Sequence, residues 1–96
     1  MRINANVTVL FLQETEGIVA YAPALDLSTC GPSFDEAKKN FEEAYAAFVE
    51  ECVRMGTLEE VLSSLGWKRK AGDGAELVPP TLIGVLELPA PILDPA

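Results

Sequence analysis

Ninety-six residues are enough for one small domain with a single modest core, and too few for two. Apolar residues make up 49 % and charged residues 23 %, a folding rather than a disordered composition. Fifteen acids against seven bases give a formal charge of −8, which opposes contact with nucleic-acid phosphates and favours a cation-rich protein as partner.

At the N-terminus, Ile3, Ala5, Val7, Val9 and Phe11 alternate with Asn4, Asn6, Thr8 and Leu10. This period of two predicts a half-buried strand over 3–11. Glu14-Thr15-Glu16-Gly17 supplies a polar turn, and Ile18–Ala22 follows as the antiparallel hairpin partner, ended by Pro23. Leu25–Cys30 predicts a brief third strand or an extended connection into Gly31-Pro32.

Ser33 stands three residues before Glu36, the spacing of a reciprocal capping box, and Asp35 and Glu36 put negative charge in a first helical turn. Behind them, Phe34, Ala37, Phe41, Ala44, Phe48, Cys52 and Met55 recur at steps of three and four. That is one apolar stripe about six turns long, stopped by Gly56. The acids fall off the stripe: Asp35 precedes Lys39, Lys38 precedes Glu42, Lys39 precedes Glu43 and Glu50 precedes Arg54 by one turn each. Such pairs are worth a few tenths of a kcal/mol. They form the wet side of a helix, because a metal site needs acids converging from several elements.

Thr57 and Glu60 repeat the capping spacing, so a second, short helix is predicted over about 58–65, with Leu58, Val61, Leu62 and Leu65 on one side and Gly66 closing it. Trp67-Lys68-Arg69-Lys70 reads as a fourth strand; it could instead clamp single-stranded nucleic acid through the indole and three bases. Ala71-Gly72-Asp73-Gly74 is a turn signal. Five prolines after residue 78 argue against any helix in the tail. Thr81–Leu88 is strand-like between Pro79-Pro80 and Pro89, and is expected either to close a sheet edge or to reach a neighbouring subunit. The fold class that follows is α+β: a small antiparallel sheet of three to four strands on one long helix and a short second helix, in the order β-β-β-α-α-β with a strand-like C-terminal tail.

Several chemistries are excluded by what the chain lacks. Without histidine it has no Ser-His-Asp or Cys-His nucleophile and no His-ligated metal. Cys30 and Cys52 lack metal or redox spacing, which suits a reduced, cytoplasmic setting. Neither a signal-peptide pattern nor an apolar run of roughly 20 residues is visible, so no membrane association is expected.

One pattern is more specific. Val19-Ala20-Tyr21-Ala22-Pro23-Ala24-Leu25-Asp26-Leu27, then Cys30-Gly31-Pro32-Ser33-Phe34-Asp35-Glu36-Ala37, then Asn40 and Ala44, resembles the HicB family of antitoxins. Gly56-Thr57-Leu58-Glu59-Glu60-Val61-Leu62 followed by Leu65-Gly66-Trp67 looks like one HicB-like subgroup. The likeness covers residues 3–70, giving a HicB-like domain over 1–70 and a proline-rich extension over 71–96. Gly31, Ser33, Glu36 and Ala37 are its structural motif.

The resemblance implies a truncated ribonuclease-H-like fold, β-β-β-α-β, without nuclease activity and without a cofactor. It implies a binding module that sequesters HicA, a small basic mRNA-cleaving toxin. Residues 1–66 carry eleven acids and four bases, so the matched part holds most of the negative charge that would steer such a partner. Asp26, Ser28 and Thr29, near the short third strand, are the expected toxin-binding residues. The family often has Asp-Thr where this chain has Pro32-Ser33. Complete HicB repressors also carry a helical DNA-binding segment after this domain, which residues 67–96 are too short and proline-rich to form, so direct DNA binding is not expected. An orphan homo-oligomeric domain, dimeric or tetrameric and without a toxin, is the alternative. Nuclease activity would need several carboxylates on strands, where the pattern offers only Glu14 and Asp26.

Overall fold

Two hairpins and one long helix organise the chain in the computed structural model, which describes residues 2–3, 6–70 and 76–89. Strands β2 (Leu10–Glu14), β3 (Gly17–Ala22) and β4 (Leu27–Gly31) form an antiparallel sheet in that order. Helix α1 (Phe34–Met55) packs on β4 and β3, and the short α2 (Leu58–Ser64) packs against α1. A second small sheet joins β1 (Arg2–Ile3), β6 (Glu76–Val78) and β5 (Lys68–Arg69), with β6 parallel to β1 and antiparallel to β5. The architecture is α+β, as the sequence pattern implies.

The register sorts the residues of the first sheet into two faces. Phe11, Ala20 and Thr29 lie in one row, Leu12, Val19 and Cys30 in the next. Successive strand residues point to opposite faces, so Phe11, Ile18, Ala20, Ala22, Leu27 and Thr29 share the side that α1 covers. Ala20 and Ala22 are fully buried there, and their small side chains let the helix sit close. Ala37, Phe41 and Cys52 meet them from α1, Leu58 and Leu62 from α2, and Trp67 and Leu77 complete the core.

The stripe on α1 is therefore confirmed in its middle and frayed at its ends. Phe41 is buried and Phe48 packs against the core half-buried, whereas Phe34 is 49 % exposed and Met55 61 %. Phe34 sits at the helix start and rests on Phe11 with ring centroids 4.4 Å apart. On the wet side, Lys38 pairs with Glu42 at 3.1 Å, while Arg54 pairs with Glu51 one residue nearer than the expected Glu50.

Several boundaries differ from expectation. The first strand is not continuous over 3–11: β1 and β2 flank residues 6–9, which join no ladder, while 4 and 5 lie outside the described residues. Val7 and Val9 still pack against the core, so the alternation records burial and not a neighbouring backbone. Leu25 is buried in a turn, not in a strand. Leu25 and Asp26 donate their amides to the carbonyls of Ala22 and Pro23, and Asp26 takes a left-handed φ of 48°, which Asp tolerates better than most residues. The fourth strand is shorter than 67–70, and the glycine turn at 71–74 lies outside the described residues. Among the described residues Thr81–Leu88 joins no ladder, and the last strand falls earlier, at Glu76–Val78, where Leu77 is buried and no proline removes an amide.

The two capping patterns behave differently. Ser33 has extended backbone (φ −138°, ψ 166°), and its hydroxyl accepts a 3.2 Å bond from the Glu36 amide. Thr57 makes no such bond. Its own amide donates to the Cys52 carbonyl at 2.9 Å and that of Gly56 to Val53 at 3.1 Å, the Schellman closure of α1 with Gly56 at φ 69°. Held as the last residue of that motif, Thr57 has ψ 4°, outside the region in which a cap side chain reaches forward.

Candidate functional site

Gly31, Ser33, Glu36, Ala37 and Asn40 meet at the joint between β4 and α1. Gly31 is the tightest point: a Cβ there would lie 2.6 Å from the Ala37 amide nitrogen and 2.9 Å from the Glu36 carbonyl carbon. Gly17 faces Gly31 across the hairpin, where a Cβ would lie 2.7 Å from the Gly31 oxygen. Only glycine lets strand and helix backbone approach this closely.

Side chains then tie the joint. Thr29 Oγ1 donates to the Ala37 carbonyl at 3.3 Å, and Asn40 Nδ2 donates to the Cys30 carbonyl at 2.9 Å. Ser33 caps the helix and Ala37 is fully buried. Glu36 contributes its backbone amide to the cap, and its side chain is exposed. The four motif residues thus lie together as a structural fastening. Asn40 is the member whose role the sequence did not disclose; its spacing of one helical face from Ser33 and Ala37 was the available signal.

Asp26, Ser28 and Thr29 do not form one surface. Thr29 faces the helix, Ser28 points outward from β4 and is exposed, and Asp26 sits in the β3–β4 turn. Asp26 accepts a 3.2 Å hydrogen bond from the Tyr21 hydroxyl. Partial burial, and then that bond and the Asp26 charge, raise the Tyr21 phenol above its ordinary value of 10.0. Glu14 ends β2, beside the hairpin tip that carries Glu16, away from the Asp26 turn at the other end of β3. Among the described residues, no three Cys, Asp or Glu side chains gather as a metal-holding group.

Trp67 corrects the nucleic-acid alternative. The indole is 3 % exposed, and its Nε1 donates to the Ala24 carbonyl at 2.8 Å, so it has no face to offer a base. Two of the three adjoining bases are engaged as well: Arg69 pairs with Glu59, and Lys70 Nζ lies 3.7 Å from the buried Glu76 carboxylate. A long-range bond of this kind, spanning 43 positions, had no signal in the sequence beyond the lone tryptophan.

The side of the sheet away from α1 presents Leu10, Leu12, Val19, Tyr21, Ser28 and Cys30. None of these joins the core, and Leu12 is 52 % exposed. No protein-family model, curated protein or solved structure matches the chain. The exposed surfaces are an acidic helix face, a largely apolar outer sheet face and the apolar segment after Pro80. Cys30 and Cys52 are free thiols, the first exposed and the second buried. No helix among the described residues is long and apolar enough to cross a membrane.

Proposed function

We propose that the chain is a non-catalytic protein-binding module of HicB type, cytoplasmic, which captures a small basic partner of the HicA kind. The observation that carries this is the β4–α1 joint: Gly31, Ser33, Ala37 and Asn40, the residues of the likeness, each have a structural task there. The order of hairpin, third strand and long helix also accords with what the likeness implies, while β5 pairs with β6 in the second sheet. The partner's chemistry is supported by charge. Helix α1 exposes Asp35, Glu36, Glu42, Glu43, Glu50 and Glu51 against three bases, a field that attracts and orients a cationic protein.

Co-expression with a basic HicA-like protein encoded beside this chain tests the proposal. The expected result is a stable complex that weakens as salt rises and blocks the toxin's RNA cleavage. Two folded proteins that do not associate would remove it. A free-standing homo-oligomeric domain is the second reading, favoured by the exposed apolar C-terminal segment.

A further inference from the structure

Residues 79–82 still border the body, lining a cavity with Val7, Pro23 and Ala24, and the chain continues to residue 89 as an exposed arm. The radius of gyration is 16.6 Å with extents of 56 × 27 × 22 Å, against roughly 12.5 Å for a compact chain of this length. Leu82, Ile83, Val85, Leu86 and Leu88 are all at least half exposed, Ile83 almost completely. In extended form Leu82, Leu86 and Leu88 would face one way and Ile83 and Val85 the other, with Glu87 the sole charge. Strands apolar on both faces occur where both faces are covered.

The edge of β2 has matching chemistry. Among the described residues β2 pairs only with β3, leaving its other edge open. Leu10-Phe11-Leu12-Gln13 has neither proline nor charge to discourage pairing. A strand laid along that edge would meet Leu12 on one face and Phe11 with Phe34 on the other, the same two-sided apolar character as the arm.

Register supplies the link. Glu76 and Leu77 run parallel to Arg2 and Ile3. Continued step for step, that register would bring Gly84, Leu86 and Leu88 beside Leu10, Leu12 and Glu14. Pro79-Pro80 interrupts it, since neither residue can donate to a ladder and both are stiff. Pro80 is also braced against Gly66, where a Cβ would come within 3.2 Å of its ring. Among the described residues the arm joins no ladder with its own β2, and a stiff proline pair before an unpaired apolar segment is the kind of hinge through which copies exchange elements.

We propose that two copies exchange arms, residues 82–88 of each adding as a parallel strand to the β2 edge of the other. Two reciprocal arms, with the surfaces they cover, reach the scale of roughly 1,200–2,000 Å² seen in stable interfaces. The exchange uses neither the acidic face of α1 nor a toxin, so it stands or falls independently of the antitoxin reading.

Sedimentation equilibrium of the full chain and of a chain ending at Pro80 tests it. The full chain is expected to be a dimer, and removing the arm to raise its Kd by about 100-fold or more with an unchanged circular dichroism spectrum. Gly84→Pro in the full chain, which removes an arm amide, is expected to weaken it about tenfold or more. A monomeric full chain, or a dimer that survives both changes, overturns the exchange. The edge is tested by mixing Gln13→Cys and Glu87→Cys copies, both on a Cys30→Ser background; Cys52 is buried. A disulfide between copies is expected. Failure to crosslink, or an internal bond in the doubly substituted monomer, overturns the assignment.

Discussion

The helix–sheet body and the C-terminal arm draw on similar apolar sequence and end in opposite states. Ala20, Ala22, Phe41 and Leu62 are buried, while Ile83 is 95 % exposed. Apolarity creates the demand for cover in both places. What differs is connectivity: a tight joint at Gly31-Pro32 folds α1 back onto the strands before it, whereas the chain after Pro79-Pro80 joins no strand among the described residues. A chain of this size has one core to offer, and a segment not led back to it stays exposed.

The largest test of that contrast lies in the body. Phe41→Ala removes a buried ring between α1 and the sheet and should cost about 3–5 kcal/mol, read from urea or thermal unfolding. An effect close to zero would mean that α1 does not hold the sheet. Gly31→Ala comes next. Its Cβ would strike helix backbone, which cannot swing aside as a side chain can, so a loss of about 1–3 kcal/mol is expected.

The two caps offer a sharper comparison because the sequence treats them alike. Ser33→Ala should cost about 1 kcal/mol. Thr57→Ala should cost no more than about 0.5 kcal/mol, because its hydroxyl caps nothing. Equal losses would refute the Schellman account of Thr57. In the arm, Ile83→Asn should leave the monomer's unfolding free energy within about 0.5 kcal/mol of the parent, measured at a concentration too low for association.

The smallest effect concerns pH. Tyr21 keeps its proton to higher pH in the folded chain than when unfolded, so its contribution to stability is present below pH 10 and is lost as pH rises through the raised value. Ultraviolet titration should show a late phenol transition that moves toward the ordinary value in Asp26→Asn. A transition unmoved by that change would leave burial as the whole cause.

Much of the body was legible in the residue order. The long helix, its Ser33 start and its Gly56 stop lie where the pattern places them, because capping and the three-four repeat are local properties. The hairpin and its turn before Gly17 followed from alternation and a polar glycine turn. The first strand was overextended because alternation reports a buried side and Val7 and Val9 have one without a ladder. The candidate site was less legible. Asp26, Ser28 and Thr29 are neighbours in sequence, but strand pleating sends Ser28 and Thr29 to opposite faces, and only the helix behind β4 shows that Thr29 is occupied.

By itself, then, the sequence determined where the chain turns, where its long helix begins and ends, and which stripe of that helix is apolar, since each depends on residues within a turn or two. Tertiary structure alone decided that Gly31 must be bare, that Trp67 reaches back to Ala24, and that the arm after Pro80 has no cover of its own. Those outcomes depend on which distant backbone arrives at a given point, and no short stretch of residues carries that information.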